Sequence, residues 1–344
     1  MQHAAKLHFT TSRPGLRPRR RMPAGRLLAL LTMAFAATAS SPGPARSYPQ
    51  RPIRIVVPFP AGGPTDVAAR PAAQSLSSGL GQNVIVENIA GAGGRIGAKV
   101  VAHASPDGYT LLQGGTNVNA IDATPHVNPG FDPLKSFAPV AGICVDSMVL
   151  VVSRQVSADT FEQFIRYAKD NPGKLTYGAP VGIYIHFASE FLKIKTGTDI
   201  RFVPYKGGAP AITDILGGHI DMLFNNKSTL LTYIGDGKLK PLAVTSDVRW
   251  PELPGTPTMR EVGVAGFPKE VLFGLLAPAG TAPAIVEQIN QALGKGLMSP
   301  EMRASLEKMG LEARIGTADD FAAALAEQAR EWKTVVDATG IQLD

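Results

Sequence analysis

From residue 53 onward, short apolar runs of three to nine residues alternate with stretches of helical periodicity, and that alternation leaves few folds open. Residues 53–57 read as a strand ended by Pro58, and residues 67–80 as a helix. A strand at 84–87, a glycine-rich turn, a helix at 96–104 and a strand at 109–113 follow. Strands separated by helices make βαβ units and mostly parallel sheets. Such sheets hold ligands beyond the carboxyl ends of their strands. Residues 145–153 form a longer β run that can carry the chain into a second lobe. The alternation repeats there, with helices at 161–170, 184–195 and 209–216 and strands at 175–177, 201–204, 220–224 and 239–245. The apolar run 271–277 suits a return to the first lobe, and amphipathic helices are expected at 283–297 and 317–338. Thr317 and Asp320 form a capping signature for the last of these. The expected division is a first lobe from 48–147 and 271–344 and a second from 148–270, each a mostly parallel sheet flanked by helices. Pro71 conflicts with the helix over 67–80 and predicts either a kink or an irregular first turn.

Charge refines this picture. The formal net charge of +6 suggests nucleic acid, but residues 1–47 hold eight Lys and Arg and no acid. Removing them leaves 26 basic against 28 acidic residues, a charge of −2. A basic stripe for phosphate backbones is not supported. Residues 1–47 read as an export signal: arginines at 17–26, then a 13-residue apolar stretch from Leu27 to Ala39, too short to span a bilayer. Cleavage after Ala39 or after Ser47 fits, and Met22 is an alternative start. The single cysteine, Cys144, lies in an apolar run and reads as a buried strand residue; it allows no internal disulfide.

The segment with most chemical content is Pro58-Phe59-Pro60-Ala61-Gly62-Gly63-Pro64-Thr65-Asp66, which joins the first strand to the first helix. Gly62 and Gly63 can both take positive φ and turn consecutive N–H groups into one concavity. The helix adds its free amides and positive dipole end, with Thr65 or Asp66 as the expected cap. Such a place suits an anion, and a carboxylate is a natural guest. The alternative is a tight turn with no ligand. Gly91-Ala92-Gly93-Gly94-Arg95-Ile96-Gly97 imitates a dinucleotide fingerprint, but Ile96 stands at the last glycine position and no acid ends the next strand. It reads better as a turn that lets its helix pack closely. No nucleophile elbow, H-E-x-x-H, C-x-x-C or P-loop is present. His186, at a predicted helix start, reads as a structural histidine before a cleft residue. Metal and cofactor sites are not expected, and neither is hydrolytic or isomerase activity.

These segments, taken in order, resemble the tripartite tricarboxylate transporter substrate-binding receptors, the Bug family of periplasmic proteins. The resemblance runs from Tyr48 to the C-terminus. It is carried by Val57 to Asp66, Val86-Glu87-Asn88 with Gly91 to Gly94, Pro106 to Leu112, Val203 to Pro210, Leu216 to Asp221, Leu242 to Ser246 and Ala277 to Thr281. It implies a two-lobed, type II-like clamshell without enzymatic activity, probing for a small organic carboxylate. The loop matching Phe59, Ala61, Gly62, Gly63, Thr65 and Asp66 would hold the carboxylate through backbone N–H groups and water. Thr116 and Asn117 would face it from the same lobe. Gly178, Ala179, Pro180, Tyr184, His186, Tyr205, Lys206, Gly207 and Asn225 would face it from the other, and Phe273 would lie on the returning strand. Integral membrane transporter subunits are the implied partners of a monomeric receptor; a ligand-presenting role in a periplasmic sensing system is the alternative.

Two departures from the family pattern bear on ligand choice. The stretch from Gly178 to His186 lacks hydroxyl residues except Tyr184. Asn225 and Leu272 stand where an acid and an aromatic are frequent. Without the acid an α-ammonium group loses its partner, so the expected ligand is not a zwitterionic amino acid, and its distal end is expected to be apolar or aromatic.

Overall fold

The computed structural model describes Gly15, residues 48–117 and residues 129–341. The expected leader, Gly15 apart, lies outside the described residues. From Tyr48 the chain forms one compact unit built on two mixed sheets.

The first sheet has the order β11-β4-β10-β3-β1-β2. Its strands are β1 (Ile53–Val57), β2 (Val84–Asn88), β3 (Thr110–Gly115), β4 (Phe137–Asp146), β10 (Val271–Pro278) and β11 (Glu312–Ala313). Alternation sorts β1 between two faces. Ile53, Ile55 and Val57 pack on the Ala68, Ala69, Ala72 and Leu76 side of helix α1 (Pro64–Leu80), while Val56 joins Ala98, Val101 and Leu112 on the other face. The second sheet has the order β7-β6-β8-β5-β9. It comprises β5 (Met148–Ser153), β6 (Thr176–Pro180), β7 (Arg201–Tyr205), β8 (Met222–Asn226) and β9 (Leu239–Val244). Met148, Leu150 and Val152 of β5 share the large core of the first sheet, and Val149 and Val151 face a separate cluster with Ile212, Ile215, Leu230 and Trp250.

Parallel pairing, expected for most of each sheet, holds for β3-β1-β2 and for β7-β6-β8. The strands that carry the chain between sheets run antiparallel: β10 beside β3 and β4, and β5 beside β8 and β9. A strand that leaves or re-enters a sheet from its partner need not make the right-handed crossover that parallel neighbours require. The run expected at 145–153 is two strands: β4 ends at Asp146, β5 begins at Met148, and the chain changes sheet at Ser147.

The remaining helices are α2 (Arg95–Ala102), α3 (Phe161–Asp170), α4 (Tyr184–Thr196), α5 (Gly208–Leu216), α6 (Lys227–Gly235), α7 (Pro283–Leu297), α8 (Pro300–Lys308) and α9 (Ala318–Thr339). Helix α1 starts three residues earlier than expected and runs through a buried Pro71. The Val67 carbonyl there has no helical N–H to accept, a cost offset by burial of the apolar face around it. The capping box at Thr317 and Asp320 is formed, with both reciprocal hydrogen bonds present. Cys144 is fully buried, and burial pushes its thiol pKa well up, as suits an inert core residue. Among the described residues, no helix is long and apolar enough to cross a membrane.

Candidate functional site

Sheet ends and helix starts from both halves meet along one seam. On one side lies the loop from Pro58 to Asp66. Gly62 takes φ 79°, in the left-handed region, whereas Gly63 is extended at φ −82° and ψ 169°. Only one of the two glycines is therefore required by backbone conformation. Gly63 is the N-cap residue of α1 and Pro64 follows at the first helical position, so neither Thr65 nor Asp66 is the cap. Both instead serve the loop. The buried Asp66 carboxylate accepts the Gly62 N–H at 3.0 Å, an Asn88 Nδ2 donor at 3.0 Å and two Arg70 nitrogens at 2.9 and 3.2 Å. Thr65 Oγ1 accepts from Asn117 Nδ2 at 3.2 Å. Asn88 also ties down the Phe59 carbonyl at 3.0 Å. Asp66 thus sets the loop's shape and has no oxygen to spare for a guest.

Across the seam stands the start of α5. A Cβ placed on Gly207 would lie 2.4 Å from Pro60 Cδ, and one on Gly208 would lie 2.9 Å from Asn225 Nδ2 and 3.3 Å from Pro64 Cδ. A Cβ on Gly63 would come within 3.8 Å of the Ala209 nitrogen. The starts of α1 and α5 therefore face each other across a gap that one added methyl group would bridge. Neither is capped by a side chain, nor are α2, α4, α6 and α7, whereas α3, α8 and α9 are capped by Thr160, Ser299 and Thr317. Each uncapped start carries unsatisfied amides and roughly half a positive charge. Two such ends brought together repel unless an anion lies between them.

A second line of contact joins the glycine-rich turn to the loop before α4. A Cβ on Gly93 would fall 2.5 Å from the Val181 carbonyl oxygen and 3.8 Å from Ile183 Cγ2. Gly91, Ala92, Gly93 and Gly94 all have positive φ, which curls this turn tightly against its neighbours. A Cβ on Gly97 would fall 2.6 Å from the Ile89 carbonyl oxygen, the close packing expected of this motif. Val181 meets Gly93 here through its backbone carbonyl and Ile183 through its side chain.

The polar side chains of the seam are buried and incompletely satisfied. Asn225 Oδ1 accepts the Asn226 N–H at 2.9 Å, and Asn226 Oδ1 accepts the Tyr184 hydroxyl at 2.6 Å. The Nδ2 groups of Asn225 and Asn226 and the Oδ1 of Asn117 are buried without a partner. Such groups cost about 1–3 kcal/mol each when left unpaired, so they mark where a polar guest would be welcome.

Several other expected residues have partners within the protein. Thr116 Oγ1 donates to Gln328 Oε1 at 2.8 Å and accepts the Leu272 N–H at 2.8 Å, which spends it on joining β3, β10 and α9. His186 stacks on Phe202 at 4.3 Å, and its Nδ1 accepts the Gly182 N–H at 3.3 Å. Burial pushes its pKa down to about 4, so the ring is neutral and structural. The Tyr205 hydroxyl donates to Asp214 of the next helix, and its ring covers Gly178. Lys206 is exposed, Ala179 and Pro180 are buried at the end of β6, and Phe273 is buried in the core opposite Gly115 and Cys144. The sequence reading missed Pro60, Pro64, Ala209 and Val181 as points of contact between the halves. It also missed Asp146, buried where the chain changes sheet. Its Oδ2 accepts the Ser228 N–H at 3.4 Å, its Oδ1 has no partner, and burial pushes its pKa up to about 7.

With this geometry in place, comparison with known proteins is informative. The profile of the tripartite tricarboxylate transporter family receptor (TctC) matches residues 68–341. The chain belongs to that receptor family. Three solved structures resemble it over their whole length. The periplasmic binding protein BugD is 34% identical, with a TM-score of 0.82 over 86% of this chain and 99% of its own. An R. palustris protein solved with adipate is 33% identical, with a TM-score of 0.82 over 86% and 99%. MatC from Rhodopseudomonas palustris, with bound malate, is 30% identical, with a TM-score of 0.80 over 84% and 100%. The fold is the two-lobed α/β fold of these receptors, and the protein is a Bug-type solute-binding receptor of a tripartite tricarboxylate transport system. Family membership implies membrane transporter subunits as partners.

Proposed function

We propose that this receptor captures a dicarboxylate in the seam between its two sheets, one carboxylate lying between the uncapped starts of α1 and α5. The observation that carries this reading is the approach of those two helix starts, Gly63 to Ala209, with no side chain to satisfy either. Residues 48–147 with 271–344 form one lobe and 148–270 the other, a division supported by strand membership of the two sheets. The amides after Gly62, together with those of Gly208 and Ala209, donate to the first carboxylate. Asn225 and Asn226 offer buried amide donors beyond it. Donors call for an acceptor on the ligand, so a distal carboxylate or carbonyl replaces the apolar or aromatic end expected from sequence. Neither of these residues is an acid, and Asp66 is fully engaged, so an α-ammonium finds no counter-charge among them. Adipate and malate in related structures agree with this class. The protein acts by binding and release, without turnover, as an exported monomer whose leader is removed. Transport is favoured over sensing by the family to which the chain belongs.

Calorimetry with malate, adipate, butyrate, aspartate and glutamate tests the reading. Micromolar binding of at least one dicarboxylate is expected, with neither amino acid bound as well. Gly62→Val forces a β-branched residue to positive φ and lowers affinity at least about tenfold, whereas Gly63→Ala, at an ordinary φ, changes it less than about threefold. Tight aspartate binding, or equal effects of the two substitutions, would contradict it.

A further inference from the structure

Among the described residues, Arg95 is a half-buried cation without a salt-bridge partner, next to the turn that meets the opposite half. Arg95 opens α2, directly after the turn whose Gly93 meets Val181 across the seam and whose Gly94 lies against the Phe59 ring. Its Nε and Nη2 are buried and neither has a hydrogen-bond partner. No salt bridge engages it, although most other arginines of the described chain are paired: Arg51, Arg54, Arg70, Arg249, Arg260 and Arg314. Burial alone pulls its pKa down, with no nearby acid opposing that effect. A guanidinium stays charged in proteins, so leaving two of its buried nitrogens without an acceptor is unfavourable. The absence of a protein partner therefore points to a guest. A planar fork of donors matches a carboxylate held through two oxygens.

We propose that Arg95 is a specificity residue of the receptor and holds the second carboxylate of a dicarboxylate whose first lies between the starts of α1 and α5. This rests on the dicarboxylate reading above and adds to it the residue that separates dicarboxylates from monocarboxylates. The turn before Arg95 has four successive positive φ values, and its Gly93 is the point that meets Val181 of the opposite half. The unpaired cation is tolerated in the free protein because the ligand neutralises it on binding.

The test is the variant Arg95→Met, which keeps much of the apolar stem and removes the charge, measured in two ways. In the ligand-free protein the melting temperature rises by about 3 °C or more, since two buried guanidinium nitrogens without acceptors are gone. A residue with a merely structural role would lower it. Calorimetry gives the second measurement. Wild type prefers adipate or malate to butyrate, and Arg95→Met loses roughly 10- to 100-fold in dicarboxylate affinity while butyrate affinity stays within about threefold. Arg95→Lys, which retains charge without the fork, recovers part of the loss. A lowered melting temperature overturns the proposal, and so does an unchanged ratio of dicarboxylate to butyrate affinity. Wild type that binds butyrate as well as dicarboxylates defeats the Arg95 proposal and leaves the carboxylate receptor standing. Wild type that binds none of the panel defeats the dicarboxylate reading, and the ligand-free melting arm still judges Arg95.

Discussion

At the scale of single residues, charge placement separates groups that hold the fold from groups that wait for a guest. Asp66 accepts from three side-chain and backbone donors and shapes the carboxylate loop. Asp146 and His186 are buried titratable groups with opposite effects on stability. Asp146, raised to about 7, binds its proton more tightly folded than unfolded, so its contribution is present at low pH and is lost as pH rises from about 4 through 7. His186, lowered to about 4, contributes stability above about pH 6.5 that is lost as pH falls towards 4. The two slopes oppose each other across the same window, and wild-type stability is correspondingly flat there. The groups around Asp146 are Lys227, Tyr184 and Cys144, and Lys227 is itself paired with Glu252 at 2.9 Å. Asp146→Asn keeps the shape and removes the charge. Thermal melts between pH 4 and 8 should show the variant more stable than wild type at pH 8, by about 3 °C, and steeply dependent on pH between 4 and 6.5. Parallel profiles for the two proteins would show that Asp146 does not titrate in this range.

At the scale of elements, the two halves meet through backbone as much as through side chains. Gly207 has φ −178° and ψ 175°, a conformation any residue adopts, yet its missing Cβ leaves room for the Pro60 ring. Gly207→Ala is therefore compatible with the structure of either lobe alone and incompatible with their contact. Ligand-induced compaction measured by small-angle scattering should be lost in Gly207→Ala and restored in Pro60→Ala/Gly207→Ala, where the ring atoms in the way are gone. Compaction of the single variant equal to wild type would show that this contact does not limit closure. Much at this scale was legible in the sequence. Apolar runs bounded by Pro and Gly placed β1, β2, β3 and most helices within a few residues, because a strand or helix declares its period locally. The short helices α6 and α8 went unseen, since Lys227 to Gly235 and Pro300 to Lys308 are too short or too polar to show a stripe. The break at Ser147 was also invisible: an apolar run that crosses from one sheet to another looks the same as one that stays.

At the scale of the whole molecule, pattern and site separate. The two-lobed plan and the loop from Pro58 to Asp66 followed from the order of the segments. Which residues face each other did not, because Pro60 and Gly207, or Gly93 and Val181, are joined only by folding of distant segments. For the same reason His186 and Tyr205, attractive as side chains, turned out to be spent on Gly182 and Asp214. Arg95 looked like a decoy residue in a failed dinucleotide motif until the absence of any partner became visible. The account places one carboxylate where two uncapped helix starts converge. The most direct measurement is a crystal structure of the protein grown with malate or adipate. It should show a carboxylate within hydrogen-bonding distance of the amides at the starts of α1 and α5, between Gly63 and Ala209. A dicarboxylate bound instead in the polar groove lined by Ser75, Gln291 and Lys295, or a seam that holds none, would contradict it.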